Sequence, residues 1–313
     1  PGVSFNDQVL DSKSNNFLAS VHIDGDKAGI AFLDISTGEF IVSEGHHQTV
    51  DKLLQGFNPS EVLFQKQKTQ QFEEAFGEDF YSFKLEDWAF HPDFANEKLL
   101  NHFETNSFKG FGVEELELGI IAAGAIFHYL EETKHLETSH IHSISRLEED
   151  RYVWLDRFTI RNLELISSPH PDAITLMEVL DHTSSPMGSR MMKRWVVLPL
   201  KKKAAIEKRL HAVEYLTSDP EFCQEISQDL KRIGDLERLI SKGAAKRIGP
   251  REMLQLGKAL NLLGSIRKRC KGIKNKQINA IVDQLNLCSS LKDRVLRELK
   301  EDPPLVINKG GVM

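Results

Sequence analysis

Apolar residues repeat at two different spacings in this chain, and the change between them near Val113 constrains the fold more than any other feature. Before it, runs of period two are separated by glycine turns: Phe17 to Ile23, Asp24-Gly25-Asp26, Ala28 to Ile35, Ser36-Thr37-Gly38, then Glu39 to Ser43. Such runs are hairpin signals and predict an antiparallel meander. Helical spacing over 47–56, 69–76 and 94–104 then alternates with apolar runs at Glu61–Phe64 and Phe80–Phe83. A meander followed by alternating strands and helices predicts a mixed sheet covered by helices. Residues 1–112 are therefore expected to form an α/β domain.

From Val113 the spacing becomes helical, with Leu116, Ile120, Ile121, Gly124, Phe127 and Leu130 three or four residues apart. An irregular stretch at 136–175 contains Ser167-Ser168-Pro169-His170-Pro171, whose prolines force their predecessors into extended conformations. Helices are expected beyond it at roughly 175–181, 186–197, 204–217, 219–231, 235–245, 249–271, 275–286 and 289–300. Residues 113–313 are thus expected to be all-α.

Charge divides the chain in the same way. Residues 1–150 hold 27 Asp and Glu against 10 Lys and Arg, a net of −17, while 151–313 hold 19 against 30, a net of +11. The basic half suggests a polyanionic partner or a docking face for acidic protein. Cys223, Cys270 and Cys288 are odd in number and lack C-x-x-C spacing, which argues for a reducing compartment and against a thiolate metal site. No apolar run approaches the roughly 20 residues a membrane span needs, and no signal peptide precedes the first strand, so a cytoplasmic protein is expected. The start at Pro1 and the stop at Lys309-Gly310-Gly311-Val312-Met313 suggest a piece of something longer.

Chemistry-bearing motifs are few. A phosphate-cradling P-loop requires G-x-x-x-x-G-K-[ST], and no run fits; Gly243 to Gly249 has its lysine out of order and reads as an interhelical turn. Asp24, Asp26 and Asp34 could hold a divalent metal for phosphodiester chemistry, but two of them lie in a turn where Asp serves local hydrogen bonds. His46-His47 and His135, His140, His142 lack ligand spacing and read as loop residues. The helix predicted over 186–197 starts at Ser185 as N-cap and Pro186 as first residue. Its periodicity puts Met187, Met191, Met192 and Trp195 on a core-facing arc and Arg190, Lys193 and Arg194 on a solvent face. With Lys201, Lys202, Lys203 and Arg267, Lys268, Arg269, these basic residues are the candidate contacts to DNA or a neighbouring domain. No aromatics interleave with the runs Lys201–Lys203 and Arg267–Arg269 to stack bases.

Several segments resemble the MutS family of DNA mismatch-repair proteins: Leu155 to Leu165, Val179-Leu180-Asp181-His182-Thr183 to Trp195, Ile233-Gly234-Asp235-Leu236-Glu237-Arg238-Leu239, and Pro250-Arg251-Glu252. Upstream, Asp34-Ile35-Ser36-Thr37-Gly38-Glu39-Phe40 and Gly110 to Glu114 resemble that family's connector domain. The resemblance implies an RNase H-like connector without catalytic carboxylates at 1–112, followed by a helical core and lever domain at 113–313, cut before the clamp. It further implies a mismatch-reading domain with a Phe-x-Glu wedge before Pro1 and an ATPase domain after Met313. ATP and Mg would then belong to the parent protein, with no cofactor, metal or catalytic residue in this piece. DNA would be bound mainly through the missing domains, MutL through the connector, and a second copy of the parent as homodimer, in a cytoplasmic, nucleoid-associated setting. The alternatives are an RNase H-like metal-dependent nuclease fused to a helical domain, and a MutS-like paralogue with another DNA role.

Overall fold

The computed structural model describes residues 1–4, 10–168, 170, 172–305 and 312. Pro169, Pro171 and the terminal Lys309-Gly310-Gly311 and Met313 singled out above lie outside the described residues. The meander forms as expected: β1 (Leu18–Asp24), β2 (Lys27–Asp34) and β3 (Glu39–His46) pair antiparallel, with Leu18 opposite Leu33 and Phe32 opposite Ile41. Gly25 and Gly38 take positive φ values of 58° and 77° in the two turns, where a side chain would be strained.

After α1 (His47–Phe57), β4 (Glu61–Gln65) returns parallel to β1, and after α2 (Thr69–Phe76), β5 (Ser82–Leu85) adds parallel to β4. A two-residue strand, β6 (Ser145–Arg146), extends β3, so the order is β5-β4-β1-β2-β3-β6. Both faces are covered. One face, with Leu33, Phe40, Val42 and Leu63, packs on α3 (Pro92–His102) and α4 (Glu117–Glu132). The other, with Val21, Ile30, Phe32 and Phe64, packs on α1 and α2.

Here the domain expectation is corrected. The helix that opens the change in spacing, α4, is the central helix of the sheet unit rather than the first of the helical one. Gly29 on β2 admits it closely: a Cβ there would lie 2.0 Å from the Leu118 carbonyl carbon. All residues from Gly119 to Leu130 are buried, because α4 lies between the sheet and α3. The expected break at 112/113 therefore falls inside a packed unit.

The expected irregular stretch holds β6 and a short helix, α5 (Arg157–Asn162). The remaining helices match the periodicity: α6 (Leu176–Leu180), α7 (Pro186–Val197), α8 (Lys203–Ser218), α9 (Pro220–Ile233), α10 (Leu236–Ala244), α11 (Pro250–Arg269), α12 (Lys276–Asp283) and α13 (Ser289–Glu298). Their core is thin. Ile233, Ala259, Ile266, Cys270 and Val282 form its main cluster, and α8 buries no residue.

Candidate functional site

Helix α7 starts as its sequence dictates: the Ser185 hydroxyl accepts the Gly188 N–H and Pro186 fills the first turn. Its orientation differs from the expected one: Met187 packs against the Ile233 cluster as expected, but the rest of the arc does not face the core as a whole. Met191 and Trp195 are 56% and 41% exposed, while Arg190 is 4% exposed. Trp195 instead lies at the surface beneath the Arg209 guanidinium, 3.5 Å from its ring centre. The basic face turns inward because the acidic unit and the α9–α10 turn supply anionic and carbonyl partners that solvent would otherwise replace.

Arg190 occupies the centre of this junction. Its guanidinium donates to both Asp235 oxygens at 2.7 and 2.8 Å, to Glu237 at 2.6 Å and to the Ser12 carbonyl at 2.8 Å. Burial opposes its charge, but the bonds to Asp235 and Glu237 outweigh that and hold it protonated. Asp235 also caps α10, accepting the Arg238 N–H, and follows Gly234, whose φ of 74° makes the turn from α9. The Arg238 side chain donates to the Asp11 and Ser14 carbonyls at 2.8 and 2.9 Å.

Residues 11–16 thus form a strap gripped from both sides. On the helical side, the Lys193 ammonium reaches Ser14 Oγ at 3.4 Å and Lys13 pairs with Asp181 at 3.5 Å. Burial works against ionisation of Asp181, yet hydrogen bonds from Ser189 and Thr183 hold its pKa down at about 2. On the sheet side, Asn15 Nδ2 and the Asn16 N–H donate to Asp34 at 2.9 and 3.2 Å. Arg194 closes the ring by pairing with Glu39 at the start of β3. Val197 and Leu198, at the end of α7, join the core cluster on the α1 and α2 face of the sheet. A charged strap over an apolar seam ties the two units together.

The other basic candidates lie elsewhere. Lys201, Lys202 and Lys203 are exposed after α7, with Lys203 only 3.6 Å from Glu207 on its own helix. Arg267 and Lys268 are exposed at the end of α11, whereas Arg269 is held by Glu225 and Asp229. Asp34 is fully buried and accepts from the Ser36 N–H and hydroxyl at 2.9 and 2.7 Å, a turn-capping role that leaves it unable to face a metal. Among the described residues no three His, Cys, Asp or Glu converge as a metal site. His140 donates from Nε2 to the Ile35 carbonyl at 2.7 Å and His102 to the Ile141 carbonyl at 2.6 Å, so both fasten the 136–144 loop to the sheet unit. Sequence reading missed the acidic half of the junction, Asp235, Glu237 and Glu39, although all three lie inside motifs it singled out. Nothing in the sequence marks Asp11 to Asn16 as a strap.

The fold and its junction define a class: a two-unit linking module, an α/β sheet domain clamped to a helical array. The family model for MutS domain II matches residues 16–142 and that for MutS domain III matches 158–313. The chain is 53% identical over its whole length to the DNA mismatch repair protein MutS of Bacteroides fragilis, covering 36% of that protein. It is 52% identical to the MutS of Bacteroides thetaiotaomicron, covering 36%, and 51% identical to that of Cytophaga hutchinsonii, covering 37%. It belongs to the MutS family of DNA mismatch-repair proteins, as its domains II and III, and spans little more than a third of the length of these relatives.

Proposed function

We propose that this chain is the coupling part of a MutS protein, in which the sheet unit links the mismatch-reading domain and offers a docking surface for MutL while the helical unit carries nucleotide state between clamp and ATPase. In this reading mismatch recognition, ATP with Mg, and the main dimer contacts belong to parts of the parent outside this chain. The chain itself performs no catalysis, and the parent acts in the cytoplasm on DNA. No helix among the described residues is long and apolar enough to cross a membrane. The unit boundary belongs between about 147 and 157, between β6 and α5, with Val197 and Leu198 of the helical unit reaching back into the sheet core.

One observation carries the reading: α7 bonds at once to the strap, to β3 and to α10, so a shift of the helical array reaches the sheet unit through three attachments. Packed elements with discrete arrangements transmit a state change without reactive groups of their own. The test is made in the full-length parent with Arg194→Glu, Glu39→Arg and the double exchange. Each single variant should change ATP-triggered release of a mismatched duplex by about fivefold or more, within the usual range of coupling energies, with mismatch affinity retained. The double exchange should restore it. Release unchanged in all three would overturn the reading.

A further inference from the structure

We propose that the free edge of β5 is a strand-addition site for an extended, basic segment of a partner protein. This rests on the reading of the sheet unit as a partner-binding module and says where on it, and to what chemistry, the partner binds. The two edges of the sheet differ. One ends on β6, two residues long and hence a poor template, while the other ends on β5, which pairs with β4 alone. The Val62 N–H bonds to the Tyr81 carbonyl, so by the alternation of a parallel ladder residues 81, 83 and 85 face β4 and the N–H and C=O groups of Ser82 and Lys84 face outward.

Aromatic side chains flank that open ladder. Tyr81 is 64% exposed, Phe83 44% and Trp88 55%, an unusual concentration for the surface of so acidic a unit. Phe83 leans on Tyr129 with ring centres 5.2 Å apart, and Trp88 packs edge-on to Phe94 and tilted against His128, so these two rings are held in place. Fixed aromatics beside unpaired backbone are what strand addition uses, the backbone supplying affinity and the rings side-chain pockets.

Charge selects the occupant. Residues 73–98 carry eight Asp and Glu against two Lys. Asp87, beside Trp88, keeps one carboxylate oxygen buried without a hydrogen-bond donor. A lysine or arginine from an added strand would be drawn to this acidic surface and rest on the exposed Trp88 face.

The experiment titrates the 313-residue chain into two fluorescein-labelled ten-residue peptides, alternating Lys-Val and alternating Glu-Val, at low and physiological salt. The Lys-Val peptide should bind at least tenfold more tightly and protect the Ser82 and Lys84 amides from hydrogen exchange. Trp88→Ala, at an exposed position, and Lys84→Pro, which deletes an outward N–H, should each weaken it at least fivefold. Equal binding of both peptides, no binding, or unchanged binding by Trp88→Ala with its melting temperature preserved would overturn the proposal. So would a dimer of the chain, seen by light scattering, that Lys84→Pro dissolves, since a second copy would then be the occupant. A separate MutL titration of wild type and Trp88→Ala distinguishes the two levels: loss of MutL binding by wild type overturns the docking role, whereas equal binding by both overturns only this edge.

Discussion

Arg190 and Trp195 sit five residues apart on α7 with opposite burial, so their substitutions should invert the ranking that amphipathic periodicity implies. Arg190→Met leaves Asp235 and Glu237 facing each other and the Ser12 carbonyl without its donor. The expected cost is about 3–5 kcal/mol, as for other broken buried ion pairs. Trp195→Ala removes a half-exposed ring and its cation–π contact with Arg209, worth about 1–2 kcal/mol. Urea unfolding midpoints of the two variants check the order. A second residue-scale effect is set by pH. Burial pushes His22, stacked near Phe90 and paired with Gln65, down to about 4, and the charge of Lys68 adds to it. An unfolded histidine titrates near 6.5, so between the two values the unfolded chain binds more protons. Stability from His22 is therefore full above about 6.5 and lost as pH falls toward 4, by up to about 3 kcal/mol. Burial lowers His102 and His140 as well, with the same sign. Unfolding of the wild type and of His22→Gln at pH 7 and pH 5 should show a smaller loss in the variant.

At the scale of elements, α4 decides what can fold alone. It lies across β1, β2 and β3 on one face of the sheet, and a chain ending at residue 112 would leave Leu33, Phe40 and Val42 in water. A 1–112 piece is expected to show a collapsed NMR spectrum and a 1–155 piece a dispersed one. The contact between β2 and α4 is testable through Gly29, where a Cβ has no room because the neighbouring atom is backbone. Gly29→Ala should destabilise the sheet unit by about 1–3 kcal/mol through overpacking. A melting temperature equal to wild type would mean that α4 sits farther from the sheet. Strands β1 to β4 and helices α6 to α13 were legible because alternation, helical spacing and caps are local properties. The membership of α4 was not, since period alone does not say which neighbour a helix packs against. Its near-continuous apolar run was the available hint, because a helix apolar on all sides must be covered on all sides.

For the whole molecule, the +11 balance of residues 151–313 overstates the charge offered to DNA. Of the nine candidate contacts, Arg190, Lys193 and Arg194 are engaged in the junction and Arg269 is paired, which leaves Lys201, Lys202, Lys203, Arg267 and Lys268 in two separate patches. Binding should be weak, roughly 10⁻⁴ to 10⁻⁶ M near physiological salt, and should fall steeply as salt rises. Matched and mismatched duplexes should bind equally, since reading a mismatch needs a wedge at a deformable step, and the proposed reading assigns mismatch recognition to parts of the parent outside this chain. Fluorescence anisotropy with both duplexes at two salt concentrations checks this. A preference above about tenfold, or about 1.4 kcal/mol, would place mismatch reading inside the chain.

The sequence by itself determined the elements and the two-unit division in kind, because hydrophobic period, capping and turn residues act within a few positions of themselves, and the resemblance of its motifs pointed to the family. Tertiary structure decided which side of α7 faces inward. Hydrophobic patterning assigns charged faces to water, and that assignment fails where distant segments supply enough opposite charge and carbonyl oxygen to hold the guanidinium ends of Arg190 and Arg238. Glu39 lies 155 residues from Arg194, and Asp235 lies 45 from Arg190. Separations of that length carry no local signature, so only the folded chain reveals that the basic stripe is the inner face of a junction.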